Sequence, residues 1–182
     1  MNKMIVLDLD GVVVNFCKAA YEIHGKRCNT EVPRTFDFFE DWDMTAEEFW
    51  KPIDAEGPIF WERLEKYPWA DGLIAKLTNY DVDLVVATSP SLSPGCTAGK
   101  VELIKYLFHD KFRDYFISPR KWHLSSPGRI LIDDNETNCE KWEARGGTAI
   151  LFPQPWNKNR YLIPHRIAWT YETLEEDLYA TV

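Results

Sequence analysis

Two carboxylates stand at the end of an apolar run in MIVLDLDGVV, residues 4–13. The run reads as a buried strand, because its apolar residues are uninterrupted and include β-branched ones. Asp8 and Asp10 follow, and Gly11 then breaks the pattern. Removing two like charges from water is costly unless something pairs with them. The stretch therefore predicts a cation beside these carboxylates, a carboxyl group that keeps its proton, or both.

Composition limits the class of protein and of partner. A chain of 182 residues suits one domain, alone or with a small insertion, and 45% apolar residues can fill a core. A formal net charge of −8 argues against a polynucleotide as the main partner, because proteins that bind one usually carry a basic face. No apolar stretch approaches the roughly 20 residues of a membrane span, and the N-terminus lacks a signal-peptide pattern. We therefore expect no membrane partner and a cytoplasmic location.

The cysteine pattern agrees with that location. No two cysteines form a CxxC motif, and no cysteine–histidine spacing matches a zinc site. We expect free thiols in a reducing compartment at Cys17, Cys28, Cys96 and Cys139.

Short apolar runs recur along the chain and alternate with helical patterns. Buried parallel strands are predicted at residues 4–7, 83–87, 130–132 and 148–151. Helices are predicted between them and after the last one, at residues 71–79, 98–108, 137–145 and 173–179. The alternation indicates an α/β fold, a Rossmann-like parallel sheet with helices on both faces.

Residues 15–70 do not fit this alternation. They contain no convincing strand, and their helical patterns, at residues 16–24, 45–50 and 59–64, are broken by Pro33, Pro52, Gly57 and Pro58. We interpret this segment as a small helical cap inserted after the first strand. The α/β core would then consist of residues 1–14 and 71–182.

Polar side chains follow three of the predicted strands, at the point where each strand ends. These residues are Asp8, Asp10, Thr88, Ser89, Asp133 and Asp134, with Lys121 shortly before the last of these strands. In an open parallel sheet, ligands bind outside the carboxyl ends of the strands, so we expect these groups to meet in one crevice. Carboxylate oxygens are hard ligands that Mg²⁺ prefers. The sequence therefore predicts a magnesium site at this edge.

These motifs resemble those of the haloacid dehalogenase-like phosphatases. The resemblance rests on DxDGxV at residues 8–13, a strand ending in Thr88, a lysine before the last motif, and the pair Asp133-Asp134. The segments ATSPSLSPGCTAGKVELIKYLF and ILIDDNETN resemble the TSP and LIDD motifs of the 5′(3′)-deoxyribonucleotidases. The similarity runs from the first strand to about residue 160 and is weakest in residues 15–70.

The resemblance implies a two-step phosphoryl transfer. Asp8 would be the nucleophile that forms an aspartyl-phosphate, and Asp10 the general acid and base. Mg²⁺ would be held by Asp8, by the backbone carbonyl of Asp10, by Asp133 and by Asp134. The phosphate would be bound by Thr88, Ser89, Lys121 and Lys100. One departure concerns the basic residue that follows the TSP segment in that family, because Ser91 or Leu92 stands there in this chain.

Plainer interpretations stand beside these roles. The first two acids could be ordinary turn residues, and Asp134 could cap the next helix. The residues before Pro90 could form a simple loop. Lys100 could be a surface helix residue, and charge alone would allow Arg120 in place of Lys121.

The aromatic side chains of the insertion also allow two interpretations. They could form a packed mini-core, or some could stack on a nucleobase above the crevice. The candidates for substrate contact are Phe16, Phe36, Phe38, Phe39, Trp42, Phe60 and Trp61.

The function predicted from these observations is a Mg²⁺-dependent phosphomonoesterase. Its substrate would be a 5′- or 3′-(deoxy)nucleoside monophosphate, hydrolysed through an aspartyl-phosphate. The alternatives are a phosphatase of another small metabolite, such as a sugar phosphate, and a non-catalytic nucleotide-binding module of the same fold. Processing of polynucleotide ends is a weaker option because of the acidic charge balance. The sequence allows a homodimer and does not determine the oligomeric state.

Overall fold

A five-stranded parallel sheet organises the part of the chain that the computed structural model describes, residues 3–27, 33 and 35–179. The sheet order is β3-β2-β1-β4-β5. The strands are β1 Met4–Leu7, β2 Asp83–Thr88, β3 Tyr115–Ile117, β4 Arg129–Asp133 and β5 Thr148–Leu151. This architecture confirms the expected Rossmann-like α/β fold.

Strand β1 occupies the centre of the sheet, as its apolar sequence requires. Ile5, Val6 and Leu7 are fully buried, because both faces of a parallel sheet are covered. Leu7 lies opposite Val86 of β2 and Ile132 of β4. This register brings the carboxyl ends of the three strands to the same edge of the sheet.

Strand β3 is the one strand of the described sheet that the sequence did not reveal. It has only three residues, all partly exposed, at the edge of the sheet beside β2. A run this short carries too little apolar signal to stand out from a loop.

Helices cover both faces of the sheet. On one face the core includes Leu73, Leu103 and Leu174, which belong to the helices α4 Ala70–Thr78, α5 Pro94–Phe108 and α7 Arg166–Tyr179. On the other face Trp142 of α6 Glu136–Glu143 packs with Val6 and Leu131. The predicted helices exist with shifted ends. In particular, α7 begins seven residues before the expected 173, and 3₁₀ turns at Lys121–Leu124 and Lys158–His165 were not predicted.

Residues 15–70 contribute α1 Phe16–Ile23, a 3₁₀ turn at Phe38–Trp42, α2 Ala46–Glu56 and α3 Pro58–Glu62. Pro52 lies inside α2, so the expectation that it breaks the helix was wrong. A capping box between Thr45 and Glu48 begins α2, and its apolar face buries Phe49 and Ile53. These local and packing contributions outweigh the hydrogen bond that the proline removes.

The short helix α3 lies directly on the backbone of α5. A Cβ atom added at Gly99 would lie 2.3 Å from the carbonyl oxygen of Pro58 and 2.8 Å from Cβ of Trp61. One added at Gly95 would lie 3.0 Å from the backbone of Gly57. The two glycines of α5 therefore permit this close approach, which fixes the position of Trp61.

No helix among the described residues is both long and apolar enough to span a bilayer. Cys96 and Cys139 are buried free cysteines, as expected, whereas Cys28 lies outside the described residues.

Candidate active site

The carboxyl ends of β1, β2 and β4 bring the predicted polar residues together. Asp8 follows β1, and its N–H donates to the carbonyl oxygen of Ile132 over 3.0 Å. Thr88 and Asp133 are the last residues of β2 and β4. All three side chains are almost completely buried. The expected convergence at one edge of the sheet is therefore present.

Three carboxylates cluster at this edge. Asp8, Asp133 and Asp134 each offer an oxygen atom, and these atoms lie within 4.8 Å of one another. Lys121 contacts two of them, with Nζ 2.6 Å from Oδ1 of Asp8 and 2.8 Å from Oδ2 of Asp133. Three buried carboxyl groups thus lie beside an ammonium that pairs with two of them.

The pKa values of the cluster reflect this imbalance. Burial raises the pKa of Asp8 to about 7, opposed by Lys121 and reinforced by Asp133. Burial, followed by the charges of Asp8 and Asp133, also holds the pKa of Asp134 well above its usual range. Burial lowers the pKa of Lys121, but the two neighbouring carboxylates outweigh it and raise the value overall. The lysine is therefore charged, and the carboxyl groups carry more potential negative charge than it can balance.

These residues fit a divalent cation. Carboxylate oxygens are hard ligands, and a bound cation would stabilise the charged forms of Asp8 and Asp134, whose pKa values burial and the neighbouring carboxylates raise. The cluster could therefore hold a metal ion between the ends of β1 and β4.

A glycine allows the chain to close over this cluster. Gly11 has a φ of 79°, and a Cβ atom added to it would lie 2.1 Å from Oδ2 of Asp134. Its N–H donates to the carbonyl oxygen of Val14 over 2.9 Å, which closes a tight turn after Asp10. Only glycine satisfies both the backbone conformation and the close approach.

Polar groups that the sequence did not reveal orient the cluster. Nδ2 of Asn138 lies 3.2 Å from Oδ2 of Asp133. Nε1 of Trp156 donates to Oδ2 of Asp134 over 2.8 Å, and Nδ2 of Asn157 to its carbonyl oxygen over 2.9 Å. Asn138 ends the segment ILIDDNETN but was not singled out, whereas the distance of Trp156 and Asn157 along the chain from Asp134 left no local signal to find them.

The cap of α6 answers one of the plainer interpretations. Asn135 is the N-cap residue, and its side chain accepts a hydrogen bond from the N–H of Asn138 over 3.0 Å. Asp134 is therefore not needed to cap the helix.

A second charged pair lies beside the cluster. Lys100 is fully buried, so the interpretation of a surface residue is wrong. Its ammonium donates to Oδ2 of Asp10 and, over 2.7 Å, to Oγ1 of Thr88. It also lies 5.0 Å from the ring centroid of Trp61. The other carboxylate oxygen of Asp10, Oδ1, is buried without a hydrogen-bond partner among the described residues.

A cavity of about 200 Å³ opens on both groups. Its polar lining includes Asp8, Asp10, Ser89, Lys121 and Asp134. Thr88 and Lys100 contact Asp10, and Asp133 contacts Lys121, but these three residues do not line the cavity themselves.

Most of the aromatic lining comes from residues 15–70, and Trp156 adds one ring from the core. Of the aromatic candidates, Trp42 and Phe60 do not line the cavity, because Trp42 packs on Tyr21 and Phe60 on Trp61. Phe49 and Trp50 were not singled out from the sequence, where adjacent positions on a helix do not indicate a shared wall. The aromatic residues that line the cavity are Phe16, Phe36, Phe38, Phe39, Phe49, Trp50, Trp61 and Trp156.

Comparison with known proteins identifies a matching family. A family model described as 5′ nucleotidase, deoxy (pyrimidine), cytosolic type C protein (NT5C) matches residues 2–172. No curated protein matches the chain.

Solved structures share the fold at low sequence identity. A haloacid dehalogenase-like hydrolase from Streptococcus pneumoniae has 12% identity and a TM-score of 0.60, covering 95% of this chain and 98% of its own. A hydrolase of the same superfamily from Deinococcus radiodurans, with bound phosphate and sodium, has 13% identity and a TM-score of 0.57, covering 100% and 99%. The Bacillus subtilis hydrolase YfnB, bound to magnesium, has 14% identity and a TM-score of 0.55, covering 95% and 98%.

Proposed function

The chain belongs to the NT5C family of 5′-nucleotidases, and from this membership we propose that it is a phosphatase that hydrolyses nucleoside monophosphates to nucleoside and phosphate. The observation that carries the proposal is that one cavity is lined both by carboxylates and by aromatic rings. The clustered carboxylates of Asp8 and Asp134 and the separate carboxyl of Asp10 line the same space as a set of aromatic rings. The proposed reaction requires charged groups for the phosphate and an apolar wall for the organic part.

We assign the nucleophile to Asp8. The N–H of Leu9 donates to its Oδ1 over 2.7 Å, and Lys121 contacts the same oxygen. The other oxygen, Oδ2, would attack phosphorus, while the bond to the leaving oxygen breaks and its electron pair stays on that oxygen. In the second step, water would attack the phosphorus and release phosphate, which returns the carboxylate of Asp8.

Asp10 would move the proton in both steps. It would protonate the leaving oxygen and then accept a proton from the attacking water. Its unpartnered Oδ1 is free to do this, because Lys100 and Thr88 contact the carboxyl group at Oδ2. We therefore propose that these two residues position Asp10, whereas Ser89 and Lys121 line the cavity and bind the phosphate oxygens.

The metal site would consist of Asp8, Asp133, Asp134 and the backbone carbonyl of Asp10, and we propose Mg²⁺ as its ion. When bound, the ion would offset the repulsion between the carboxylate of Asp8 and the phosphate. The cap of residues 15–70 and the cytoplasmic location remain proposals that agree with the aromatic wall of the cavity and with the family's description.

The alternatives are less well supported. A non-catalytic nucleotide-binding module would not need a further carboxyl group beside the cluster with a buried, unpartnered oxygen, which Asp10 supplies among the described residues. A sugar-phosphate phosphatase would not need so many aromatic rings along its cavity.

Release of phosphate tests the proposal. Purified protein is incubated with Mg²⁺ and a panel of nucleoside monophosphates and sugar phosphates. We expect nucleotides to be turned over fastest, and Asp8→Asn to abolish the activity. Asp71→Asn changes an exposed carboxylate that pairs with Lys66, and it should leave the rate unchanged. Equal rates for wild type and Asp8→Asn would refute the assignment, and faster turnover of sugar phosphates would refute the substrate.

A further inference from the structure

The indole N–H of Trp61 is a buried donor without an acceptor among the described residues. Trp61 is 2% exposed, and it lines the cavity. Buried polar groups in native proteins almost always have a hydrogen-bond partner, so each exception calls for a physical explanation. At the wall of a substrate cavity, that explanation is a partner that arrives with the substrate.

The ring of Trp61 already has partners of its own. Phe16 stacks on it with the ring centroids 5.6 Å apart and the planes inclined by 14°, and Trp50 lies 6.4 Å away at 19°. The ammonium of Lys100 lies 5.0 Å from the ring centroid. A nucleobase that stacked on Trp61 would have to displace one of these groups. The N–H is the part of the side chain that lacks a partner.

The backbone holds this donor in place. Trp61 belongs to α3, which cannot move toward α5 because Gly99 already touches Pro58 and Cβ of Trp61. Lys100 contacts both Asp10 and the ring of Trp61, so a single side chain separates this ring from the proposed general acid. Both Asp10 and Trp61 line the cavity, so the ring lies on the side where the organic group of the leaving oxygen would be held.

We propose that Nε1 of Trp61 donates a hydrogen bond to an acceptor on the nucleoside half of the substrate. The acceptor is an oxygen of the sugar, or a carbonyl oxygen or ring nitrogen of the base. Trp61 thus determines specificity by a hydrogen bond to a polar atom of the substrate and not by stacking on the base. The inference rests on the proposed function, because it assumes that the organic half of a nucleotide occupies this cavity.

The test compares wild type with Trp61→Phe, which removes the donor and keeps an aromatic ring. The substrates are a pyrimidine deoxynucleoside 5′-monophosphate, 2-deoxyribose 5-phosphate, and phenyl phosphate, whose organic half has no acceptor. We expect kcat/KM for the nucleotide to fall roughly 3- to 10-fold, as for one lost hydrogen bond, and that for phenyl phosphate to stay unchanged. A fall shared by 2-deoxyribose 5-phosphate assigns the acceptor to the sugar, and a fall confined to the nucleotide assigns it to the base.

Two further variants separate a lost donor from lost packing. Replacing the indole of Trp61 by benzothiophene keeps the ring size and removes the N–H, so it should reproduce the selective fall. Trp169→Phe makes the same change on α7, outside the cavity lining, and should leave all three substrates unaffected. Equal falls for all three substrates with Trp61→Phe, or no fall for the nucleotide, would overturn the inference.

A binding measurement keeps this inference distinct from the proposed function. In an Asp8→Asn background with Mg²⁺, we expect Trp61→Phe to raise the Kd of the nucleotide by the same factor. If the wild type binds the nucleotide without turning it over, the proposed phosphatase activity is refuted. The change in Kd with Trp61→Phe then still tests the hydrogen bond of Trp61. An unchanged Kd would overturn the role of Trp61 alone.

Discussion

The contact between α3 and α5 gives a stability prediction with a built-in control. Gly99→Ala adds a methyl group that would lie 2.3 Å from the carbonyl oxygen of Pro58 and 2.8 Å from Cβ of Trp61. Neither atom can rotate away, because one belongs to the backbone and the other is attached to it. Gly72→Ala makes the same change in α4, where a Cβ atom would meet nothing within 4 Å.

Both substitutions change the free energy of unfolding through helix propensity, but only Gly99→Ala adds the cost of overpacking. Alanine favours a helix over glycine by about 1 kcal/mol, so Gly72→Ala should stabilise the protein by about that amount. Overpacking typically costs about 1–3 kcal/mol, and a clash with backbone belongs to the upper part of that range. We therefore expect Gly99→Ala to destabilise the protein by about 1–2 kcal/mol, a gap of about 2–3 kcal/mol between the variants.

Urea denaturation of both variants beside the wild type measures the gap. We also expect Gly99→Ala to raise KM for a nucleotide, because α3 must move and carries Trp61 with it. Gly72→Ala should leave KM unchanged, since Gly72 lies outside the cavity lining. Equal stabilisation by both substitutions would refute the close packing of α3 on α5.

Three further expectations concern the carboxylate cluster. Trp156→Phe removes the hydrogen-bond donor to Asp134. We expect the Mg²⁺ concentration that gives half the maximal rate to rise about 10-fold, and an unchanged concentration would contradict this. Lys121→Met leaves Asp8 and Asp133 without their cation and should destabilise the metal-free protein by roughly 3–5 kcal/mol in urea denaturation; an unchanged free energy of unfolding would contradict this. Because burial raises the pKa of Asp8 from 3.8 to about 7, metal-free protein should lose stability as pH rises through that interval. Thermal melting at several pH values should show this loss, and Asp8→Asn should reduce it; a melting temperature that rises across the interval would contradict the sign.

The sequence revealed those parts of the molecule that have a strong local signal. The central strand β1 was predicted with its observed ends, because both of its faces are buried and its residues are all apolar. The convergence of Asp8, Thr88 and Asp133 followed from the parallel sheet alone, since strand ends share an edge. The edge strand β3 and the continuation of α2 through Pro52 were missed, because packing and capping outweighed weak or adverse local preferences.

The site shows the same division. Its acidic residues stand in short motifs at strand ends, whereas some of the groups that orient them come from a distant turn. Trp156 and Asn157 contact Asp134 across more than twenty residues, and no pattern in the sequence links them. The contacts of Lys100 with Asp10 and Thr88 were not predicted, and its expected place at the phosphate stays a prediction. Which polar atom a long side chain reaches depends on packing, and spacing along the chain does not encode it.

The central claim is that Asp8 carries the phosphoryl group during the reaction. It is tested most directly in Asp10→Asn with p-nitrophenyl phosphate, whose leaving group needs no acid, so that the first step proceeds while the second is slowed. We expect a burst of p-nitrophenol stoichiometric with the enzyme, and mass spectrometry of the quenched protein should find the phosphoryl group on Asp8. A linear release without a burst, or a phosphoryl group on any other residue, would contradict the account.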